Sequence, residues 1–342
     1  MPRTMISEMQ LNETYNVPLV VTEATERTTK RGKPYLDMTL YDGVDKINCR
    51  YWDWNGQTMP KVNTVYDFKV TCGEYMGKKQ LTCNKVTLDT THMLEDFMPQ
   101  GQADVSQAYK DFYSLICDIK DDFLRNVGLK VAEAANDLWL HVPGANSIHH
   151  AYMGGTLVHS LSVGRLSYNM AKGIDGAWPD LALLGGLLHD TGKLFTYQLE
   201  GVTISMTDDG RLLEHPFIGA EFVGNLCSDL VHTEFDELKL QMLRHIILSH
   251  HLRLEYGSPV TPRCIEAYIV AHCDDVDAKA EMIREASRKA GSTSRWTERL
   301  WAADNNECFT TQAIEALSKK PYITGEELQT HIANVFADYA NE

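Results

Sequence analysis

The stretch Leu181–Leu188 (LALLGGLL) contains no polar side chain, and the two residues that close it are His189 and Asp190. A helix this apolar has no solvent face, so it is expected at the centre of a helical domain. Its end then carries an imidazole and a carboxylate into the protein interior. An unpaired buried carboxylate is very costly, so partners must come from elsewhere in the chain. Taken alone, a His-Asp dipeptide is most simply a hydrogen-bonded core pair.

Other residues change that balance. Leu243, Ile246, Ile247 and His250 share one helix face at the i, i+3, i+4, i+7 spacing, which points His250 inward. His251 is rotated by about 100°, yet it stands at the helix end, from where it reaches the same place. Asp274 shares its face with Ala267, Val270, Ala271 and Ala278, a small apolar stripe on which a carboxylate is out of place without a ligand. Asp275 and Asp277 fall on other faces. His159 follows the Gly154-Gly155 break, and His215 precedes Pro216 at a helix start. Either histidine alone is unremarkable, but together these residues form a set that suits a divalent metal. Imidazole with carboxylate fits Mn²⁺, Fe²⁺, Co²⁺, Ni²⁺ or Zn²⁺, and a carboxylate can bridge two ions. Gly192 is expected as a left-handed helix stop. Lys193, one turn past Asp190, is then placed to hold a phosphate oxygen.

At 342 residues with 44% hydrophobic content, the chain is expected to form about two domains with real cores. No run approaches the roughly 18 apolar residues of a membrane span, and MPRTMISEMQ lacks the apolar core of a signal peptide. The eight cysteines form no CxxC pair. Reduced thiols and a cytoplasmic location are therefore expected. The formal charge of −15 argues at first against a nucleic-acid partner. Residues 1–90, however, carry 12 Lys and Arg against 11 Asp and Glu, so the negative charge resides in the remainder. Cations bound in a site there would reverse its local sign.

The near-neutral part alternates in the manner of strands. Val17–Thr22, Tyr35–Tyr41, Lys46–Trp52, Val65–Cys72 and Gln80–Leu88 are separated by turn signals such as Asp42-Gly43 and Met76-Gly77. Five short strands predict a small antiparallel barrel, most commonly an OB-fold. Period-two phasing turns Leu36, Met38, Leu40, Ile47, Cys49 and Tyr51 one way. It leaves Tyr35, Thr39, Tyr41, Arg50 and Trp52 on the outside, beside the cationic loop with Lys30, Arg31 and Lys33. Rings beside cations suit a single strand; equally, Trp52 and Tyr41 could cover the barrel end or a domain interface.

EDFMPQGQAD reads as a linker, residues 93–104, after a barrel domain of residues 1–92. Helical periodicity follows. Val105–Asn126 and Val131–Leu140 lie in a helical connection, residues 105–148. The main domain, 149–320, holds helices over Thr156–Lys172, Leu181–Leu188, Pro216–Val231, Phe235–His250 and Pro262–Ala290. Gln198–Arg211 is expected as a small hairpin turning at Asp209-Gly210, and residues 321–342 as a C-terminal helical tail. The fold class expected is thus a multidomain α and β chain, a five-stranded OB barrel before an all-α domain.

His159, His189-Asp190 and Asp274 resemble the H…HD…D signature of the HD-domain metal-dependent phosphohydrolases. HHAYMGGTLVHSLSV, GGLLHDTGK, EHPFIGAEFV, ILSHHLRLEYGSPVTP and IEAYIVAHCDDVDA look like the corresponding blocks of YhaM-type 3′-to-5′ exoribonucleases. That family joins an N-terminal OB-fold to an HD domain, and the likeness covers nearly the whole chain. The chain departs from the family at Asp275, where Asn is frequent, and in the low basic content of its barrel. The resemblance implies a metal-dependent exonuclease of the Mn²⁺ type acting on single-stranded RNA, with single-stranded DNA as a further substrate. It implies one ion on His159, His189, Asp190 and Asp274. A second would share Asp190 and take His215, His250 and His251. Asp190 and Lys193 are then the catalytic residues. Lys30, Arg31, Lys33, Tyr35, Arg50 and Trp52 would contact nucleic acid. His149 and His150 are weaker candidates for substrate contact. No membrane partner is expected, and a homo-oligomer is left open. The rival reading is an HD phosphohydrolase of small nucleotides, cyclic or dNTP, regulated by its OB domain.

Overall fold

The computed structural model describes residues 3–56, 58–98, 103–144, 152–290 and 294–310. Five strands, β1 (Thr14–Thr28), β2 (Pro34–Tyr41), β3 (Lys46–Tyr51), β4 (Thr64–Tyr75) and β5 (Lys78–Leu88), close a barrel in the order β1-β2-β3-β5-β4. All pairs are antiparallel except β3 with β5, where Cys49 faces Leu81. This is the OB-like barrel that the alternation predicts. Leu36, Met38, Leu40 and Cys49 fill its interior. The outward residues do not all meet solvent. Tyr41 is buried with Val20, Val65 and Phe97, and the fifth member of that cluster is Val202 from the helical part. The Tyr41 ring thus covers a contact between barrel and helices. Burial pushes its phenol up to about 12.

Leu94–Phe97 forms a 3-10 turn whose Phe97 is fully buried. Helix α1 (Val105–Cys117) follows, with Asp104 capping it through Gln107 N. The single helix expected over 105–126 is in fact two. A break at Asp118–Asp121 precedes α2 (Asp122–Ala134), and α3 (Asn136–His141) continues after Ala135. The break is held from a distance: the Asp180 carboxylate accepts the Lys120 and Asp121 amides, and Asp121 caps α2 through Leu124 N.

Helices α4 (Gly155–Lys172) and α5 (Pro179–Leu188) cross at the centre, and every residue of Leu181–Leu188 is buried. Their backbones meet at Gly164 and Gly186, where a Cβ on Gly186 would lie 2.8 Å from Gly164 Cα. That close approach brings His159 of α4 beside His189 at the end of α5. The short α6 (Lys193–Thr196) leads into a hairpin, β6 (Tyr197–Glu200) and β7 (Thr203–Met206), and then α7 (Asp208–Leu213). The hairpin turns at Gly201-Val202 rather than at Asp209-Gly210, which lies inside α7. Thr207 starts that helix by accepting Gly210 N.

Helices α8 (His215–Leu226), α9 (Glu234–Ser249) and α10 (Ile265–Ala290) follow, and β8 (Trp296–Leu300) pairs with β9 (Asn306–Phe309); the helical tail expected over 321–342 lies outside the described residues. Among the described residues the helical part therefore carries two hairpins and is not wholly α. The chain divides into two compact units, one ending at Asp275 and one starting at Val276. The first contains the barrel and all seven candidate ligands. Among the described residues no helix is long and apolar enough to cross a membrane, and all eight cysteines are free thiols.

Candidate metal centre

Asp190 sits between two groups of imidazoles. Its Oδ2 faces His189 Nε2 at 3.3 Å and His159 Nε2 at 3.5 Å. Its Oδ1 faces His215 Nε2 at 3.4 Å and His250 Nε2 at 3.6 Å. On the first side Asp274 Oδ1 lies 3.0 Å from His159 Nε2 and 3.7 Å from His189 Nε2. On the second side the His251 ring stands 4.2 Å from that of His250 and 4.9 Å from that of His215. All seven residues singled out in the sequence are thus brought together. Potential donor atoms of His159, His189 and Asp274, and likewise of His215, His250 and His251, lie within 4.8 Å of one another.

The backbone fixes which nitrogen each ring offers. Nδ1–H of His189 donates to Gly186 O at 2.8 Å, and Nδ1–H of His250 donates to Ile247 O at 2.7 Å. His251 Nδ1–H donates to Tyr256 O at 2.8 Å. In each neutral ring the lone pair is then on Nε2, the tautomer that a metal-binding histidine held by a carbonyl adopts. His159 and His189 meet Nε2 to Nε2 at 3.2 Å, and His215 and His250 do so at 3.3 Å. Contacts between basic nitrogens need a cation or a proton between them.

The carboxylate points the same way. Neither oxygen of Asp190 has a hydrogen bond of sound geometry, although the Lys193 ammonium lies 2.7 Å from Oδ2. A buried carboxylate with unsatisfied oxygens among Nε2 atoms fits a divalent cation better than a hydrogen-bonded core pair. Burial opposes charge on Asp190, yet Lys193 and His189 hold its carboxyl well below the usual range. Burial also opposes charge on Asp274, which bonds to His159 and His189 bring well below that range. Burial keeps His215 and His250 far below the usual imidazole value and therefore neutral, as ligands must be. At His189 burial is outweighed by Asp190, which raises it to about 10. Without metal, a proton there compensates the two carboxylates.

One expectation needs correction. Gly192 is right-handed, with φ −63° and ψ −25°. Glycine is required there because a Cβ would overlap the His215 carbonyl oxygen and crowd Gly219 N. Its role is to let the start of α6 meet the start of α8. Lys193 consequently opens α6 and is buried at the centre. His149 and His150 lie outside the described residues. Burial raises the phenol of Tyr197, which the sequence reading passed over; Lys193 opposes the shift and Asp190 adds to it. The place of Tyr197 at the first position of a four-residue strand gave no periodic signal.

On the barrel, the Tyr35 and Trp52 rings pack together with centroids 4.7 Å apart and planes tilted by 32°. The Arg50 guanidinium lies 5.5 Å from the centre of Trp52 and 5.3 Å from that of Tyr75. Lys30 and Arg31 are exposed on the β1–β2 loop, and Lys33 there pairs with Asp53 at 3.2 Å. Tyr75 was missed because the alternation fades at Cys72, whereas β4 runs on to the Met76-Gly77 turn.

Residues 156–279 match the family model described as the HD domain. All seven candidate ligands lie inside that match. This region is a metal-dependent phosphohydrolase domain of the HD type, joined to an OB-like barrel. A solved structure similar to the chain is the second OB-fold domain of replication protein A from Methanococcus maripaludis, at 15% identity and TM-score 0.22, covering 26% of this chain and 97% of that one.

Proposed function

We propose that the chain is a divalent-metal-dependent exonuclease that removes nucleotides from the 3′ end of single-stranded RNA, with single-stranded DNA as a second substrate. The observation that carries the proposal is the Asp190 carboxylate, each of whose oxygens faces its own pair of imidazoles. In this reading His159, His189, Asp274 and Asp190 hold one ion, and Asp190, His215, His250 and His251 hold a second. Mn²⁺ is the favoured metal, and Fe²⁺, Co²⁺, Ni²⁺ and Zn²⁺ suit the same donors. Ions bound there supply Lewis acidity, lowering the pKa of water and offsetting phosphate charge.

The remaining work falls to the chain's own groups. Lys193 donates to a phosphate oxygen as charge builds on the phosphorus centre. The rings of Tyr35, Trp52 and Tyr75 stack bases without reading them, and Arg50, Lys30, Arg31 and Lys33 face the backbone charge. Substrate polarity and single-stranded RNA as a substrate are what the family resemblance of the sequence blocks implies. The test is hydrolysis of 3′- and 5′-labelled single-stranded and duplex RNA by purified protein, with Mn²⁺ and with chelator. Mononucleotides released first from the 3′ end of single strands, only with metal, are expected. Hydrolysis confined to free nucleotides would select the small-nucleotide reading instead, and RNA hydrolysis by metal-free protein would overturn both.

A further inference from the structure

The tip of one hairpin of the helical part is seated on the barrel, and the root of that hairpin is the helix that starts at Lys193. Val202, at the β6–β7 turn, is 3% exposed, and the other buried members of its cluster are Val20, Tyr41, Val65 and Phe97. Beside it Gly201 has φ +64°, and a Cβ there would overlap the Asn63 side chain in the segment leading into β4. The turn is therefore seated directly on the barrel, with no room for a larger residue at Gly201.

At the other end, β6 begins at Tyr197, immediately after α6, whose first residue is Lys193. The join is bonded on both strands. Thr207 N donates to Thr196 O at 2.9 Å, and Thr207 Oγ1 donates to Phe195 O at 3.0 Å. Thr196 Oγ1 in turn donates to Gly192 O at 2.9 Å. An isolated two-stranded hairpin is marginal in water, so this one is ordered by what holds its two ends.

We infer that Val202 is a positioning residue: by seating the hairpin on the barrel it holds α6, and with it Lys193, in place against Asp190. The barrel then does more than capture a strand. It is part of the support of the phosphate-binding lysine, and turnover depends on it even for a substrate too small to reach the barrel. The inference rests on the phosphodiesterase reading of the metal centre for its activity readout only.

The experiment uses the full chain and two variants, Val202→Ser and Val202→Ile. Two quantities are read: kcat and KM on bis(p-nitrophenyl) phosphate with Mn²⁺, and amide hydrogen exchange across residues 193–206 without substrate. Val202→Ser is expected to lower kcat about tenfold, with KM and bound metal unchanged, and to speed exchange through α6 and β6. Val202→Ile, which keeps the apolar contact, restores both. Unchanged exchange at 193–200 in Val202→Ser would overturn the inference, as would loss of the barrel's own protection with α6 still protected. A wild-type protein that leaves the ester intact with every metal would refute the phosphodiesterase reading instead, and the exchange data would still decide the role of Val202.

Discussion

The Lys193 ammonium lies 2.7 Å from Asp190 Oδ2, and both groups are buried. One turn of chain separates them: Asp190 lies just past the end of α5, and Lys193 starts α6. Burial disfavours the charged lysine, and the Asp190 charge overrides it, so its pKa is raised. An ammonium has no lone pair for a metal. In the proposed function, its place beside the bridging carboxylate makes it the charge offered to the phosphate.

Lys193→Met is therefore expected to keep the metal content of the protein and to lower kcat by about 10²–10³, the loss typical of one transition-state donor. Its effect on stability should depend on metal. In chelator the Asp190 charge loses its nearest cation, and breaking such a pair costs about 3–5 kcal/mol. With metal bound, the ions neutralise Asp190 and the loss should be far smaller. Thermal melts of both proteins with and without Mn²⁺ check this. An equal loss in the two conditions would show that no ion sits at Asp190.

Asp190→Asn keeps the shape of the side chain and removes its charge. It is expected to weaken metal binding on both sides at once and to leave less than about a tenth of the wild-type rate, a loss above ~1.4 kcal/mol of transition-state stabilisation. The far-ultraviolet circular dichroism spectrum should be unchanged. Retained activity with two tightly bound ions would rule out bridging by this residue.

How far the site was legible follows from where its signals lie. His250 and Asp274 stood out because each is a polar residue on an apolar helical face, and such a placement is local to one helix. Gly192 was misread for the opposite reason. The partner it makes room for, His215 O, belongs to a helix that starts 23 residues later, and no local pattern encodes that approach. The break between α1 and α2 depends on Asp180 in the same way. Alternation placed Tyr41 on the outside of the barrel correctly, but period two reports a face and not what covers it; Val202 does the covering.

The barrel face gives a prediction separable from the chemistry. Trp52→Ala removes one ring of the Tyr35–Trp52 pair, and base stacking is worth ~1–3 kcal/mol per base. KM for long single-stranded RNA should rise about tenfold or more, while kcat on a small phosphodiester stays the same. Tyr75→Ala should act in the same direction. An unchanged KM in both variants would assign these rings to covering the barrel end.

A pH dependence follows from Asp89, at the end of the barrel. Its carboxylate is buried, which alone would raise its pKa. It accepts the Thr91 amide and hydroxyl and the His92 amide, and His92 Nδ1 lies 2.6 Å away, so the value is brought down to about 2. The folded value lies below the unfolded one, so the contribution is present above the unfolded pKa of roughly 3.9 and is lost as pH falls towards 2. The shift corresponds to about 2 kcal/mol. Asp89→Asn should be less stable than wild type near neutral pH by an amount of this order, with the gap closing in acid. Urea midpoints across that range measure it, and a gap constant with pH would contradict the assignment.

The most direct measurement is anomalous diffraction at the manganese edge from crystals of the full chain grown with Mn²⁺. Two peaks are expected, one among His159, His189 and Asp274 and one among His215, His250 and His251, with an Asp190 oxygen on each. A single peak elsewhere, or none within the cluster at saturating Mn²⁺, would contradict a centre built around Asp190.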